Sequence, residues 1–418
     1  MKGNLKKYLT LIVLGASGGA IYTLPYIKYV FYDAITNVLG ISNAQSGFLL
    51  SMYAIGCVIL YIPGGILSDK VSPKKAVIFS LLGTCVCGLL FAFTMNYVVG
   101  LLVWLLFAFG TGFVFWSAIL KAVRMIGTDE EQGRMYGVYY AANGTASAVI
   151  NALALRVYGG FSNGRTGLFW ALILMCASIA ICAILLKFLL NEDGRKVEQT
   201  AEEDKFHFSD LKSVLTNPAV WLISIVFFCI YGVYSCTSYF TPYLTNVIGF
   251  SETTAGYLQI IRSYVVMLIA APIGGLLVDK VFRSTLKWFS AGAFVLGISI
   301  LLVILTGTGA NGWLIAILTL IPGLFSMCLY GVMFSAMHEI NIPVKAAGTA
   351  IGIASIIGYL PDMFLQTFFG QILDTNGNAG YMTIFAILTA FCFIVTVISI
   401  GLYRAYHKRA KAAAAMAK

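Results

Sequence analysis

The chain has 418 residues, of which 60% are hydrophobic and only 11% charged, and its mean hydropathy is +0.89. Soluble domains are roughly 25% charged, so the composition excludes an ordinary water-solvated fold and points to a bilayer as the solvent. The net charge of +10 does not point to nucleic acid, because the basic residues lie at the ends of apolar runs and no long basic patch stands apart from one.

A membrane-spanning helix needs about 20 predominantly apolar residues. Twelve runs meet that demand, at 8–31, 45–66, 76–96, 99–120, 135–157, 166–190, 218–240, 255–277, 288–307, 312–336, 347–370 and 380–403. The fold class expected is an all-α membrane protein with twelve transmembrane helices. The basic start and first run, with no small-residue cleavage site between them and soluble sequence, read as a first membrane helix and not a cleaved signal peptide. The one long polar segment divides the spans six and six. This gives an N-terminal six-helix bundle at 1–190, a cytoplasmic linker with a short interfacial helix at 191–217, a C-terminal six-helix bundle at 218–405 and a cytoplasmic tail at 406–418.

An even number of spans puts both termini on one side. All 27 Lys and Arg residues except Lys28, Arg156, Arg165 and Arg262 fall on that side. The positive-inside rule then makes both termini cytoplasmic, in the cell (inner) membrane. The nine cysteines, at 57, 85, 87, 176, 182, 229, 236, 328 and 392, all lie inside apolar runs and read as small apolar fillers. With no His–Cys cluster, neither metal nor cofactor is expected.

The halves repeat each other. Pro63-Gly64-Gly65-Ile66-Leu67-Ser68-Asp69-Lys70-Val71 matches Pro272-Ile273-Gly274-Gly275-Leu276-Leu277-Val278-Asp279-Lys280-Val281. Thr36-Asn37-Val38-Leu39-Gly40-Ile41-Ser42 matches Thr245-Asn246-Val247-Ile248-Gly249-Phe250-Ser251, Ile21-Tyr22 matches Ile230-Tyr231, and Gly47 matches Gly256. Each six-helix half is therefore a copy of the other in the same orientation. Transporters built this way bind substrate at the repeat interface.

On these residues the chain resembles the major facilitator superfamily along its whole length. The superfamily's loop between helices 2 and 3 reads Gly-x-Leu-x-Asp-Arg-x-Gly-Arg-Arg/Lys. Here Gly65, Leu67, Asp69 and the basic pair Lys74-Lys75 match, and Ser72-Pro73 depart from it. The resemblance implies the two-repeat fold and secondary transport. Tyr26-Ile27-Lys28-Tyr29-Val30-Phe31 looks like the first helix of the organophosphate/sugar-phosphate permeases, with Lys28 where that family has a phosphate-binding arginine. The family's second phosphate arginine, in helix 7, has no counterpart among Val233, Tyr234 and Ser235. Arg262 resembles the anion-binding arginine of the nitrate and oxalate/formate branches. The matching helix 2 position of the nitrate branch is Tyr53 here. The resemblance implies an organic anion as substrate.

Ionisable residues inside a bilayer are costly, so each is a functional candidate. Arg262 lies seven or so residues into helix 8, roughly 10 Å below the outer surface at 1.5 Å per residue. Gln259 and Ser263 share its face, and a guanidinium fork suits a carboxylate or phosphate. Its alternative is a structural salt bridge. Asp362 belongs to a stripe with Ser355, Tyr359 and Gln366, and aligns with Ser147 in a second stripe of Asn143, Ser147 and Asn151. Both stripes are expected to face inward and bind substrate. Asp362 either carries a coupling proton or is a fixed counter-ion to Arg262 or Lys28. Lys28 stands near the outer end of helix 1, where it either snorkels to the interface or joins Tyr22 and Tyr26 at the substrate. Tyr231, Tyr234 and Ser238 of helix 7 either line the same cavity or simply pack. With all three ionisable groups in the cavity, two positive charges against one negative favour a small monoanion, or a dianion when Asp362 is protonated.

A second set, Asp69, Lys70, Lys121, Arg124, Arg134, Asp279, Lys280 and Glu339, lies at the cytoplasmic mouth. Asp69 and Asp279, Lys121 opposite Glu339, Arg124 and Arg134 are expected to form gate ion pairs; Lys70, Lys74 and Lys75 read as solvated. No enzyme is expected: Gly64-Gly65 and Gly274-Gly275 are packing glycines without a phosphate-loop lysine, and histidines 207, 338 and 407 lie outside the spans. The functional expectation is a monomeric secondary transporter of a small organic anion, by proton symport or anion exchange, with membrane lipid around it and no nucleic-acid partner. The rivals are a transporter-like anion sensor and a proton-coupled drug or cation exporter.

Overall fold

The computed structural model describes residues 2–126, 131–190, 215–307, 309–340 and 344–416, with the side chains at 2–4, 61–62, 64–70, 133, 271, 344–349 and 407–416 outside the description. Among the described residues every regular element is a helix. In the first half, α1 (Lys2–Ile21) and α2 (Tyr32–Leu39) form pass one, joined through a 3-10 turn at Ile27–Tyr29. Passes two and three are α3 (Asn43–Lys70) and α4 (Pro73–Thr94). Pass four is α5 (Tyr97–Ala108), a π-helical turn at Phe109–Phe113 and α6 (Phe115–Ile126). Passes five and six are α7 (Gln132–Tyr158) and α8 (Gly164–Leu189).

In the second half, pass seven is α9 (Pro218–Cys236), a 3-10 turn at Thr237–Tyr239 and α10 (Phe240–Asn246). Pass eight is α11 (Glu252–Ile260), a π turn at Ile261–Val265, α12 (Val266–Leu276) and a second π turn at Leu277–Phe282. Then follow α13 (Thr285–Thr306), the pair α14 (Gly312–Leu318) and α15 (Leu320–Tyr330) with a 3-10 stretch at Met333–Ile340, the pair α16 (Val344–Tyr359) and α17 (Pro361–Asn376), and α18 (Gly380–Met416). The twelve passes coincide with the twelve apolar runs. Residues 191–214 of the expected linker lie outside the described residues, and α18 runs past the expected boundary at 405.

The repeated sequence around Gly40 and Gly249 has a local cause. Both glycines take positive φ, 62° and 86°, the left-handed conformation that ends a helix. Two residues on, Ser42 and Ser251 cap the next helix through their hydroxyls, accepting from the backbone N–H of Gln45 and Thr254 at 3.2 Å each. Gln45 completes a capping box by accepting from the Ser42 N–H at 3.0 Å. A stop followed by a start is what a short turn between two membrane helices requires.

Contacts divide the chain into two compact units. The first holds Met1–Glu198, Thr241–Val265 and Gln366–Asp374; the second holds Gln199–Phe240, Val266–Leu365 and Thr375–Lys418. Parts of passes seven, eight and eleven thus pack with the first six helices. Glycines make this close approach possible. A Cβ on Gly47 of α3 would lie 2.1 Å from the Gln366 carbonyl oxygen of α17, and one on Gly370 would lie 2.4 Å from that of Asn43. Gly256, the repeat partner of Gly47, packs on Leu155 of α7, its Cβ position 2.7 Å away. Small residues let helices in lipid come together in this way.

Candidate functional site

Pass one is broken where a proline interrupts it. Pro25 cannot continue the helical ladder, and its carbonyl oxygen accepts from the buried Trp104 indole at 3.0 Å. The break carries Lys28 inward. Lys28 is only 3% exposed, and its Nζ donates to Gln366 Oε1 at 3.3 Å. Its ammonium lies 5.1 Å from the centre of the Tyr32 ring, within cation–π range. The snorkelling alternative is thereby corrected, because the side chain leaves a 3-10 turn and not the outer end of a continuous helix.

Arg262 occupies the π turn of pass eight and is 1% exposed. Its Nη1 donates to Gln259 Oε1 at 2.5 Å, and Gln259 Nε2 donates to Ser263 Oγ at 2.8 Å. The Thr241 hydroxyl lies 3.1 Å from the same glutamine oxygen and 3.3 Å from the Tyr29 carbonyl oxygen. A chain of polar contacts therefore runs from the residue next to Lys28 to Arg262 inside one unit. Beside it, Tyr26 packs against Tyr22, Tyr29 and Tyr53 with ring centres 6.4, 5.3 and 5.5 Å apart. The Tyr53 hydroxyl hydrogen-bonds that of Thr111 at 2.9 Å.

In the second unit, Pro361 restarts pass eleven, so Asp362 stands in the first turn of α17 instead of deep within one unbroken helix. Free N–H groups at a helix start favour negative charge there. Asp362 is buried, and Tyr231 donates to its Oδ2 at 2.5 Å. Tyr231 lies edge-on to Tyr359 at 4.6 Å, while Tyr234 stacks on Tyr330 at 4.6 Å and 5°. The tyrosine that holds the acid thus belongs to a cluster of four, Tyr231, Tyr234, Tyr330 and Tyr359.

The stripe on α7 is placed otherwise. Ser147 is buried, donates to the Gly19 carbonyl oxygen at 3.3 Å, and with Asn143 packs against Gly18 and Gly19 of α1. Its polar atoms serve a helix–helix contact, leaving Asn143 half-exposed. At the basic end, Glu339 accepts from the Ser284 hydroxyl at 2.6 Å and from the Thr285 N–H, which caps α13. Arg134 lies over the Tyr8 ring at 5.2 Å, Arg124 and Asp279 are exposed, and Lys121 is half-buried. Lys7 pairs with Glu131 at 2.5 Å. The side chain of Asp69 lies outside the described residues.

Sequence reasoning missed three acids at the other end of the first unit. Asp33 accepts from Thr245 Oγ1 at 2.6 Å and Asn246 Nδ2 at 3.0 Å. Glu252 accepts from the Tyr158 hydroxyl at 2.5 Å. Asp374 accepts from the Asn43 and Ala44 N–H groups, at 2.9 Å each, and so caps α3 from pass eleven. Their signal was available, as acids just outside apolar runs at the ends that are poor in Lys and Arg.

A sequence profile described as Major Facilitator Superfamily matches residues 9–366. The chain belongs to the major facilitator superfamily. It is a membrane transporter of the twelve-helix, two-repeat type. Among its superfamily relatives, "Inner membrane protein YihN" of Escherichia coli (strain K12) is 29% identical over 411 residues, covering 97% of each chain. The glycerol-3-phosphate transporter of Bacillus subtilis (strain 168) is 22% identical over 423 residues, covering 93% of this chain and 91% of its own. The solved structure of a bacterial homolog of the human lysosomal transporter Spinster, inward-facing and unoccupied, matches with a TM-score of 0.75 at 16% identity, covering 96% of this chain and 98% of its own. That last likeness concerns the fold alone.

Proposed function

We propose that this transporter carries a small organic anion, a carboxylate, sugar acid or phosphorylated metabolite, bound at Lys28 and Arg262. One observation carries the reading: two cations, Lys28 and Arg262, lie buried in one unit at breaks in their membrane passes, a 3-10 turn and a π turn. Ionisable residues within spans mark substrate and ion pathways, and a cation there suits an anion. The relative named as a glycerol-3-phosphate transporter supports the same class. Tyr22 and Tyr26 are assigned to the same binding region, and Asp362 with Tyr231 and Tyr234 to proton coupling. Asn143 and Ser147 are assigned to packing, and binding is assigned to Gln259, Gln366 and Thr241.

A second reading rests on the tyrosine cluster that reaches Asp362 through Tyr231, since aromatic faces near a carboxylate also suit an organic cation. Counterflow of labelled glycerol 3-phosphate, gluconate and lactate in proteoliposomes separates the two. Exchange of at least one anion, lost in Arg262→Gln, supports the anion reading. Loss of cation efflux in Asp362→Asn, with anion handling untouched by Arg262→Gln, establishes the exporter. Saturable binding without any exchange establishes a sensor.

A further inference from the structure

Arg156 and Arg165 are the two cations that belong neither to the basic end nor to the buried site. They flank the turn from α7 to α8, at the end of the first unit away from Lys7 and Glu131. Their surroundings differ. Arg165 is exposed in the first turn of α8. Arg156 heads a groove of about 500 Å³ whose other walls include Phe161, Trp170, Ile173 and Leu174. Trp170, Ile173 and Leu174 follow one another at helical spacing along one face of α8. Trp170 and Phe161 are 47% and 42% exposed, so the groove is open to its surroundings.

With the N-terminus on the cytoplasmic side, as the charge pattern predicts, this groove opens to the outer leaflet. Tryptophan at that level marks the boundary between headgroups and hydrocarbon. A soluble anion on Arg156 would leave the apolar walls uncovered, and a neutral hydrocarbon would leave the guanidinium without an acceptor. An amphiphile meets both demands. We propose that the groove binds an anionic phospholipid, with its phosphate on Arg156 and an acyl chain along Trp170, Ile173 and Leu174. A guanidinium fork fits phosphate oxygens in pairs. The rival reading is that Arg156 only completes the last turn of α7, where a cation favours the helix dipole.

Native mass spectrometry of the full-length protein in detergent tests this, with phosphatidylglycerol and phosphatidylcholine of identical chains as probes. The glycerol lipid is expected to be retained more strongly. Arg156→Gln weakens its binding about fivefold, as expected for one basic residue at a membrane surface. Arg165→Gln, which removes the same charge nine residues away, leaves it unchanged. Ile173→Trp fills the groove and lowers retention of both lipids. Equal effects of Arg156→Gln and Arg165→Gln would overturn the proposal. So would equal retention of the two lipids by the native chain, or complete displacement of lipid by soluble glycerol phosphate.

Discussion

The two buried polar regions hold opposite charges by different means. In the first unit, Lys28 donates to the Gln366 amide oxygen, and Arg262 donates to that of Gln259, which Thr241 also reaches. In the second, Asp362 is met at a helix start by the hydroxyl of Tyr231, whose ring packs on that of Tyr359. Taking a charge out of water costs several kcal/mol unless hydrogen bonds replace the lost shell. In both regions neutral groups supply some of these bonds, amide oxygens to the cations and a phenol to the acid.

The largest effect is expected where a cation is removed. Arg262→Gln deletes the fork while leaving Gln259, Ser263 and Thr241 in place. Truncating one member of a buried charged contact costs roughly 2–5 kcal/mol, which at 1.4 kcal/mol per decade is a loss of about thirtyfold or more in anion affinity. Lys28→Gln is expected to lose less, about tenfold, because an ammonium contacts an anion as a point charge and not as a fork. Isothermal titration with the anion that shows counterflow checks both. Equal, small losses would mean that the two cations are structural and that the binding region lies in the second unit.

On the other side of the comparison, Asp362→Asn keeps the hydrogen bond from Tyr231 but removes the titratable proton site. Exchange of anion for anion is expected to persist within about threefold, a change of less than 1 kcal/mol. Accumulation driven by a pH gradient is expected to vanish. Tyr231→Phe should fall between, since it leaves the acid but removes its donor. If Asp362→Asn retains full pH-driven accumulation, coupling runs through another group.

How much of this was legible in the sequence depends on which force set each feature. The twelve passes were plain because burying about 20 apolar residues in lipid dominates every local preference. The turn at Gly40 to Ser42 and its copy at Gly249 to Ser251 were visible as a repeat before their backbone conformations explained them. Lys28 and Asp362 stand out as ionisable residues in apolar runs, but the helix breaks that hold them do not. Pro25 and Pro361 were the overlooked signs, since each opens a helix that the apolar pattern reads as continuous. The π turn that holds Arg262 leaves no such mark in the residue types. On α7, Asn143 and Ser147 looked like a cavity face, yet the small stripe Gly15, Gly18 and Gly19 on α1 was the complementary surface that takes them up.

The smallest effect concerns the acidic end of the first unit, where Asp374 caps α3 from pass eleven and the Ser51 and Thr367 hydroxyls meet at 2.9 Å. If transport proceeds by alternating access, these contacts must part when the site opens to that side. Removing a helix cap costs about 1 kcal/mol, so Asp374→Ala is expected to shift the balance toward the open form roughly fivefold. Ser51→Cys, introduced into a variant without the native cysteines, reports this through its rate of labelling by an impermeant thiol reagent. The native contact should protect it, and Asp374→Ala should speed labelling by that factor while Asp374→Asn, which keeps an acceptor oxygen, speeds it less. Labelling that is fast in the native chain and indifferent to position 374 would show that these bonds follow the conformational equilibrium without helping to set it.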